Sequence, residues 1–169
     1  MNDDHLNYKE LPVSWQEVHI QAKKLAERLR QTGKSWEKIV AVTRGGLVPA
    51  CLIARDLDIR LIDTISIASY AHQDQSAAKI LKFPDNCGTG KNILVIDDLS
   101  DTGNTFRAIR EKLPEATYAC IYVKPAGKPL ADAYASEVKQ DCWIYFPWED
   151  QDFSSYVRGI IGTHLENIS

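Results

Sequence analysis

The stretch Ile93-Leu94-Val95-Ile96-Asp97-Asp98-Leu99-Ser100-Asp101-Thr102-Gly103-Asn104-Thr105 decides how the rest of the chain is to be read. Four aliphatic side chains in a row, followed at once by acids, describe a strand buried on both faces that meets solvent at its carboxyl end. A third acid follows, and Thr-Gly-Asn-Thr turns the chain into a helical run over residues 105–113. The pattern Asp-Asp-x-x-Asp also occurs on helices that hold diphosphates through metal bridges. Here the β-branched run before it and the turn formers after it disfavour a helix. Strand side chains alternate in direction, so one of Asp97 and Asp98 is free to face a diol while the other faces a metal or an adjacent polar group. Residues 101–105 offer consecutive backbone N–H groups at a helix start, Gly103 permits close approach, and Thr102 and Thr105 add hydroxyls. Together they form a cradle for a phosphate dianion. A polar turn with Asp101 as helix N-cap explains the last acid and the threonines, but not two acids stacked behind a buried strand.

Outward from this stretch the chain alternates helix and buried strand. Ser14-Trp15-Gln16-Glu17 is a capping box that opens a helix with apolar positions Val18, Ala22, Leu25, Ala26 and Leu29, closed by Gly33. Residues 38–43 read as a strand and 47–57 as a helix, with further strands at 61–68, 92–96, 118–123 and 142–146. Such alternation requires crossover connections, hence an α/β fold with a mostly parallel sheet flanked by helices and ligands at the carboxyl ends of its strands. At 169 residues and 44% hydrophobic, the chain reads as a single domain, residues 1–169. The patternless segment at about 70–91 is long enough to be a lid, and the tail 151–169 carries an apolar stripe at helical spacing.

Composition removes several classes of function. A formal charge of −3 disfavours a nucleic-acid partner. No run of residues is long and apolar enough for a transmembrane segment, and residues 1–10 are too polar for a signal peptide. Cys51, Cys87, Cys120 and Cys142 form no C-x-x-C pair, and three lie in apolar runs, which fits reduced thiols in a cytoplasmic protein.

The diacid segment resembles the signature with which type I phosphoribosyltransferases bind phosphoribosyl pyrophosphate (PRPP). Val42-Thr43-Arg44-Gly45-Gly46-Leu47-Val48-Pro49 resembles that family's pyrophosphate loop. Val123-Lys124-Pro125-Ala126-Gly127 and Asp141-Cys142-Trp143-Ile144 resemble the purine-contacting segments of its bacterial xanthine-guanine branch. The four motifs fall in the same order over roughly residues 15–148. The resemblance implies a type I phosphoribosyltransferase fold with a small hood and lid. It also implies a purine salvage enzyme that moves the 5-phosphoribosyl group from PRPP to xanthine, guanine or, as a third candidate, hypoxanthine.

By the same resemblance PRPP is bound by Arg44, Gly45, Asp97, Asp98, Leu99, Ser100, Asp101, Thr102, Gly103, Asn104 and Thr105. Asp101 is the base for the imidazole proton, and Asp101, Lys124, Trp143 and Ile144 hold the purine, Lys124 at the exocyclic oxygen O6. Mg²⁺ is the implied cofactor, on Asp98 with Glu149 as a second candidate. A cis peptide is implied at Arg44–Gly45, as are a homodimer or homotetramer and a cytoplasmic location with peripheral association at the inner membrane. Two positions depart from the pattern. Ser76 stands where relatives carry a basic residue, leaving Lys79 or Lys82 as substitutes, and Tyr145 stands where the branch carries an acid. The competing readings are a non-catalytic regulator that binds PRPP or purine, and a transferase for another base.

Overall fold

The computed structural model describes residues 10–69 and 78–149. Its main sheet has six strands in the order β4-β3-β2-β5-β6-β7. These are β2 (Lys38–Thr43), β3 (Leu61–Ser69), β4 (Ala78–Lys82), β5 (Ile93–Ser100), β6 (Thr117–Val123) and β7 (Ala133–Glu137). Every pairing is parallel except β3 with β4 at the edge. Three α-helices cover the sheet: α1 (Trp15–Gln31), α2 (Leu47–Leu57) and α3 (Asn104–Arg110).

The two-residue period of the strands sorts the core into layers. Ile39 and Ala41 of β2, with Leu94 and Ile96 of β5, pack with buried residues of α1 and α2. Val40 and Val42, with Ile93 and Val95, pack on the other face with Phe106 and Ile109 of α3. Helix α1 starts where its capping box places it: the Glu17 amide donates to Ser14 Oγ at 3.1 Å. Val18, Ala22, Leu25, Ala26 and Leu29 are all fully buried, as their spacing requires. Its end also follows the sequence, with Gly33 at φ +69° just past the cap.

Three elements differ from the sequence reading. Residues 143–145 leave the main sheet: β8 (Trp143–Tyr145) pairs in parallel with β1 (Glu10–Pro12) as a separate two-stranded sheet, the place of the expected hood. The segment expected as a lid is structured over its second part. Residues 78–82 form β4, held because its backbone completes the edge of β3. The first part of that segment, with Ser76, and the tail 151–169 lie outside the described residues. β7 passed unnoticed because Ala133–Glu137 mixes small, polar and aromatic side chains without clean alternation.

Leu25 lies at the centre of the α1 layer with no exposed surface. Leu25→Ala is expected to cost about 2–5 kcal/mol of unfolding free energy. Urea denaturation checks this, and a loss below about 1 kcal/mol would contradict the packing described.

Candidate active site

The carboxyl ends of β5 and β6 open into a crevice of about 400 Å³. Its walls are residues 97–106, Lys124, Trp143, Ile144, Phe146 and Glu149. The geometry thus brings together the diacid, the turn after it, the lysine that follows β6 and the aromatic segment of β8.

Strand alternation settles which way the two acids face. Asp98 continues the α2 side of β5, and its carboxylate lies hard against Gly45: a Cβ built there would stand 2.0 Å from Asp98 Oδ2. No side chain is tolerated at 45 without moving the acid. Gly46 is equally closed, its missing Cβ 2.4 Å from the Ile96 carbonyl oxygen. These contacts fasten the 43–46 turn to the end of β5. The cis peptide in that turn is Thr43–Arg44, one bond earlier than expected. The bonds after it are committed to the helix start, with the Gly46 amide on Val42 O and the Leu47 amide on Arg44 O. Arg44 is exposed, and neither it nor Gly45 is among the residues that line the crevice.

Asp97 continues the α3 side of β5, where its register partner is Cys120. It is 8% exposed, and Oδ1 accepts the Asp98 amide at 2.9 Å. Burial first, and the Asp98 charge second, hold its carboxyl well above the ordinary range. Burial likewise lifts Asp98, to about 6, with the Glu149 carboxylate adding to the rise and hydrogen bonds from Asp97 and the Leu99 amide opposing it. At neutral pH the pair therefore holds negative charge at a cost, which a cation would remove.

Lys124 is 5% exposed, and its ammonium donates to Asp101 Oδ2 at 2.8 Å. Gln140 Nε2 donates to the other oxygen, Oδ1, also at 2.8 Å. Asp101 is therefore not a helix cap; the N-cap of α3 is Gly103, with φ +80°. Gly103 has a packing reason of its own: its backbone is left-handed, and a Cβ there would meet Leu130 Cγ at 2.9 Å. Ser100 is buried and acts as a brace: its carbonyl accepts the Lys124 amide at 3.0 Å and its hydroxyl donates to Gly127 O at 3.3 Å. Leu99, Thr102, Asn104 and Thr105 line the crevice as expected.

Trp143 is 64% exposed, so it is no core residue, whereas Ile144 between it and the exposed Tyr145 is buried. Glu149 is exposed, and its carboxylate accepts the Phe146 amide at 3.3 Å. Of the proposed loop lysines, Lys82 is occupied away from the crevice, on Asp63 and Thr64 near the start of β3. Lys79 pairs with Ala68 near the carboxyl end of that strand. Gln140 and Phe146 were missed by sequence reasoning. Nothing local marks Gln140, because its partner is 39 residues away.

A phosphoribosyl transferase domain model matches residues 13–152. The chain is 50% identical over 142 residues to the xanthine-guanine phosphoribosyltransferase of Chromohalobacter salexigens, covering 84% of this chain and 85% of that one. It is 51% identical over 144 residues to the enzyme of the same name from Nitratidesulfovibrio vulgaris, covering 85% and 86%. Among solved structures it resembles the purine phosphoribosyltransferase of Pyrococcus horikoshii Ot3, with a TM-score of 0.72 and 29% identity, covering 84% of this chain and 95% of that one.

The acid pair predicts a pH-dependent stability. A carboxyl raised from 3.8 to about 6 favours the folded state fully below pH 3.8 and loses that advantage as pH climbs through about 6. Above that, ionised Asp98 costs about 3 kcal/mol. Asp98→Asn is therefore expected to raise the Tm of the unliganded protein at pH 7.5 and to leave it nearly unchanged at pH 4. Equal shifts at both pH values, followed by calorimetry, would refute the burial argument.

Proposed function

The chain belongs to the phosphoribosyl transferase family, and we propose that its crevice transfers the 5-phosphoribosyl group from PRPP to a 6-oxopurine, giving the nucleotide and pyrophosphate. It is a purine salvage enzyme. One observation carries the assignment of residues. A single crevice is lined at once by the buried diacid, the 101–105 turn, the buried ammonium of Lys124 and the exposed ring of Trp143.

The roles follow from what each group offers. Backbone N–H groups of the 101–105 turn, with the hydroxyls of Thr102 and Thr105, take the 5′-phosphate. Asp97 and Asp98 accept the ribose hydroxyls. The exposed fork of Arg44 and the amide of Gly45 take the pyrophosphate, beside Asp98 because the two strands are neighbours. Trp143 stacks on the purine and Ile144 presents its backbone to the ring's far edge.

The donor set at the diacid fits Mg²⁺: hard carboxylate oxygens, carrying charge that burial penalises. Asp98 would hold the ion, with Glu149 as a second carboxylate. Once bound, it supplies charge neutralisation for the departing pyrophosphate.

Proton transfer falls to Asp101. Without substrate both its oxygens are occupied, Oδ2 by Lys124 and Oδ1 by Gln140. A purine's exocyclic oxygen gives Lys124 a new acceptor. When Nζ turns to it, Oδ2 loses its donor and becomes free to accept the imidazole N–H proton. The purine nitrogen forms its bond to C1 of the sugar as the C1–pyrophosphate bond breaks. The base is thus released by the substrate it serves. Positioning and charge stabilisation provide the rest of the acceleration.

The enzyme acts as one domain in the cytoplasm. Among the described residues no helix is long and apolar enough to cross a membrane. Assembly as a homodimer or homotetramer is supported by Leu61, Ile62 and Leu81 on β3 and β4, apolar side chains left exposed.

An ammonium only donates, so Lys124 accepts guanine, xanthine and hypoxanthine but meets the amino group of adenine donor to donor. Adenine is expected to be rejected by about 10⁴-fold in kcat/KM relative to guanine. Discrimination among the 6-oxopurines should be milder, since it rests on the edge near Ile144 and Tyr145. Pyrophosphate release with PRPP, Mg²⁺ and each base in turn tests this; adenine within about tenfold of guanine would remove Lys124 from the O6 position.

Asp101→Asn should lower kcat by about 10²–10⁴-fold, and it should also lower the Tm because the buried Lys124 ammonium loses its carboxylate. Wild-type turnover in that variant would dismiss Asp101 as the base.

A further inference from the structure

Gln140 belongs to no element of the main sheet and was marked by no motif, yet it spans two parts of the site. It lies in the connection after β7 that leads to β8. Its Oε1 accepts the Ala126 amide at 2.9 Å, and its Nε2 donates to Asp101 Oδ1 at 2.8 Å. The partners leave no freedom over which way the side-chain amide is turned. A backbone N–H only donates and a carboxylate only accepts, so the oxygen must face Ala126 and the nitrogen must face Asp101. Neither bond survives a flip.

The consequence lies in the two oxygens of Asp101. Lys124 holds Oδ2 and is itself the group that turns to the purine, whereas nothing in the reaction calls on Gln140 to move. Without Gln140 the half-exposed carboxylate would be free to roll about its Cβ–Cγ bond once Lys124 left it. With Gln140 in place it keeps its plane, and Oδ1 keeps a donor. We propose that Gln140 is a positioning residue that locks the Asp101 carboxylate, leaving Oδ2 as the one oxygen open to the purine proton, and ties that lock to the 124–127 turn.

The inference rests on the reading of Asp101 as the base. The charged groups around that carboxylate are Lys124 from the end of β6, Asp97 and Asp98 from β5, and Glu149 beyond β8, which line the same crevice. Gln140 is the neutral donor among them. Its side-chain nitrogen holds one oxygen of Asp101 by a hydrogen bond, and a carboxylate in its place could not donate one.

Two substitutions separate positioning from mere bracing. Gln140→Leu removes both bonds, and Gln140→Glu keeps an acceptor for Ala126 while setting a second carboxylate against Asp101. With guanine, PRPP and Mg²⁺, Gln140→Leu is expected to lose roughly 10- to 100-fold in kcat with the KM for PRPP unchanged. Gln140→Glu cannot donate to Oδ1 and is expected to lose at least as much kcat, again with the KM for PRPP unchanged. In an Asp101→Asn background Gln140→Leu should cost nothing further, because the two act through one carboxylate. Should Gln140→Leu prove too unstable to assay, the kcat-against-KM split of Gln140→Glu decides alone.

Wild-type kcat in these variants, while Asp101→Asn falls, would overturn the proposal and leave Gln140 as a brace of the 124–127 turn. A rise in purine KM alone would do the same. Wild-type turnover in Asp101→Asn would instead overturn the reading of Asp101, a result distinguishable from either.

Discussion

Asp97 and Asp98 stand side by side at the end of a central strand, where burial raises both, the Asp98 charge raises Asp97 further, and Glu149 adds to the rise of Asp98. A protein seeking stability alone would not place two acids there. Much of the surrounding architecture accommodates them. The 43–46 turn carries glycines at the two places where a Cβ would strike Asp98 or the end of β5. The helix that follows is thereby set close behind the acids, and the neighbouring strand delivers Lys124 to the adjoining side of the crevice. On the proposed reading, a metal-bound, polyhydroxyl substrate would relieve the electrostatic penalty of the diacid as it binds.

The same economy governs the lysine and acid on the purine side. A buried ammonium without a partner would be expensive, and an unpaired base beside it would be mobile. Pairing them resolves both problems, and on the proposed reading it also holds Asp101 back until a purine engages Lys124. The neutral ring of Trp143, by contrast, is left open to solvent, as the proposed stacking on a purine would require.

Much of this was legible in the chain itself. The helix of the capping box, the strand 38–43 and the helix 47–57 follow from local signals that tertiary contacts reinforce. The diacid strand was legible because burial on both faces leaves a plain run of aliphatic residues. What escaped was fixed by partners distant in sequence. β4 and β7 are edge strands with little apolar signature, stabilised by the neighbour they pair with. The packing reason for Gly103, a left-handed turn beside Leu130, is set by a residue 27 positions away and shows only in the fold. Gln140 is an ordinary polar loop residue until the fold brings it to Asp101.

The pairing of β1 with β8 joins Glu10 to Trp143, nearly the whole described chain apart. Both are short, and neither belongs to the main sheet, so each depends on the other for its backbone partners. Contacts of such sequence separation form late, after the loop between them has been closed. The half of the crevice built on β5 and β6 can therefore be assembled while the β8 edge still lacks its supporting strand register. A cut or extension near residue 10 would reach the aromatic edge of the crevice without touching any residue that lines it.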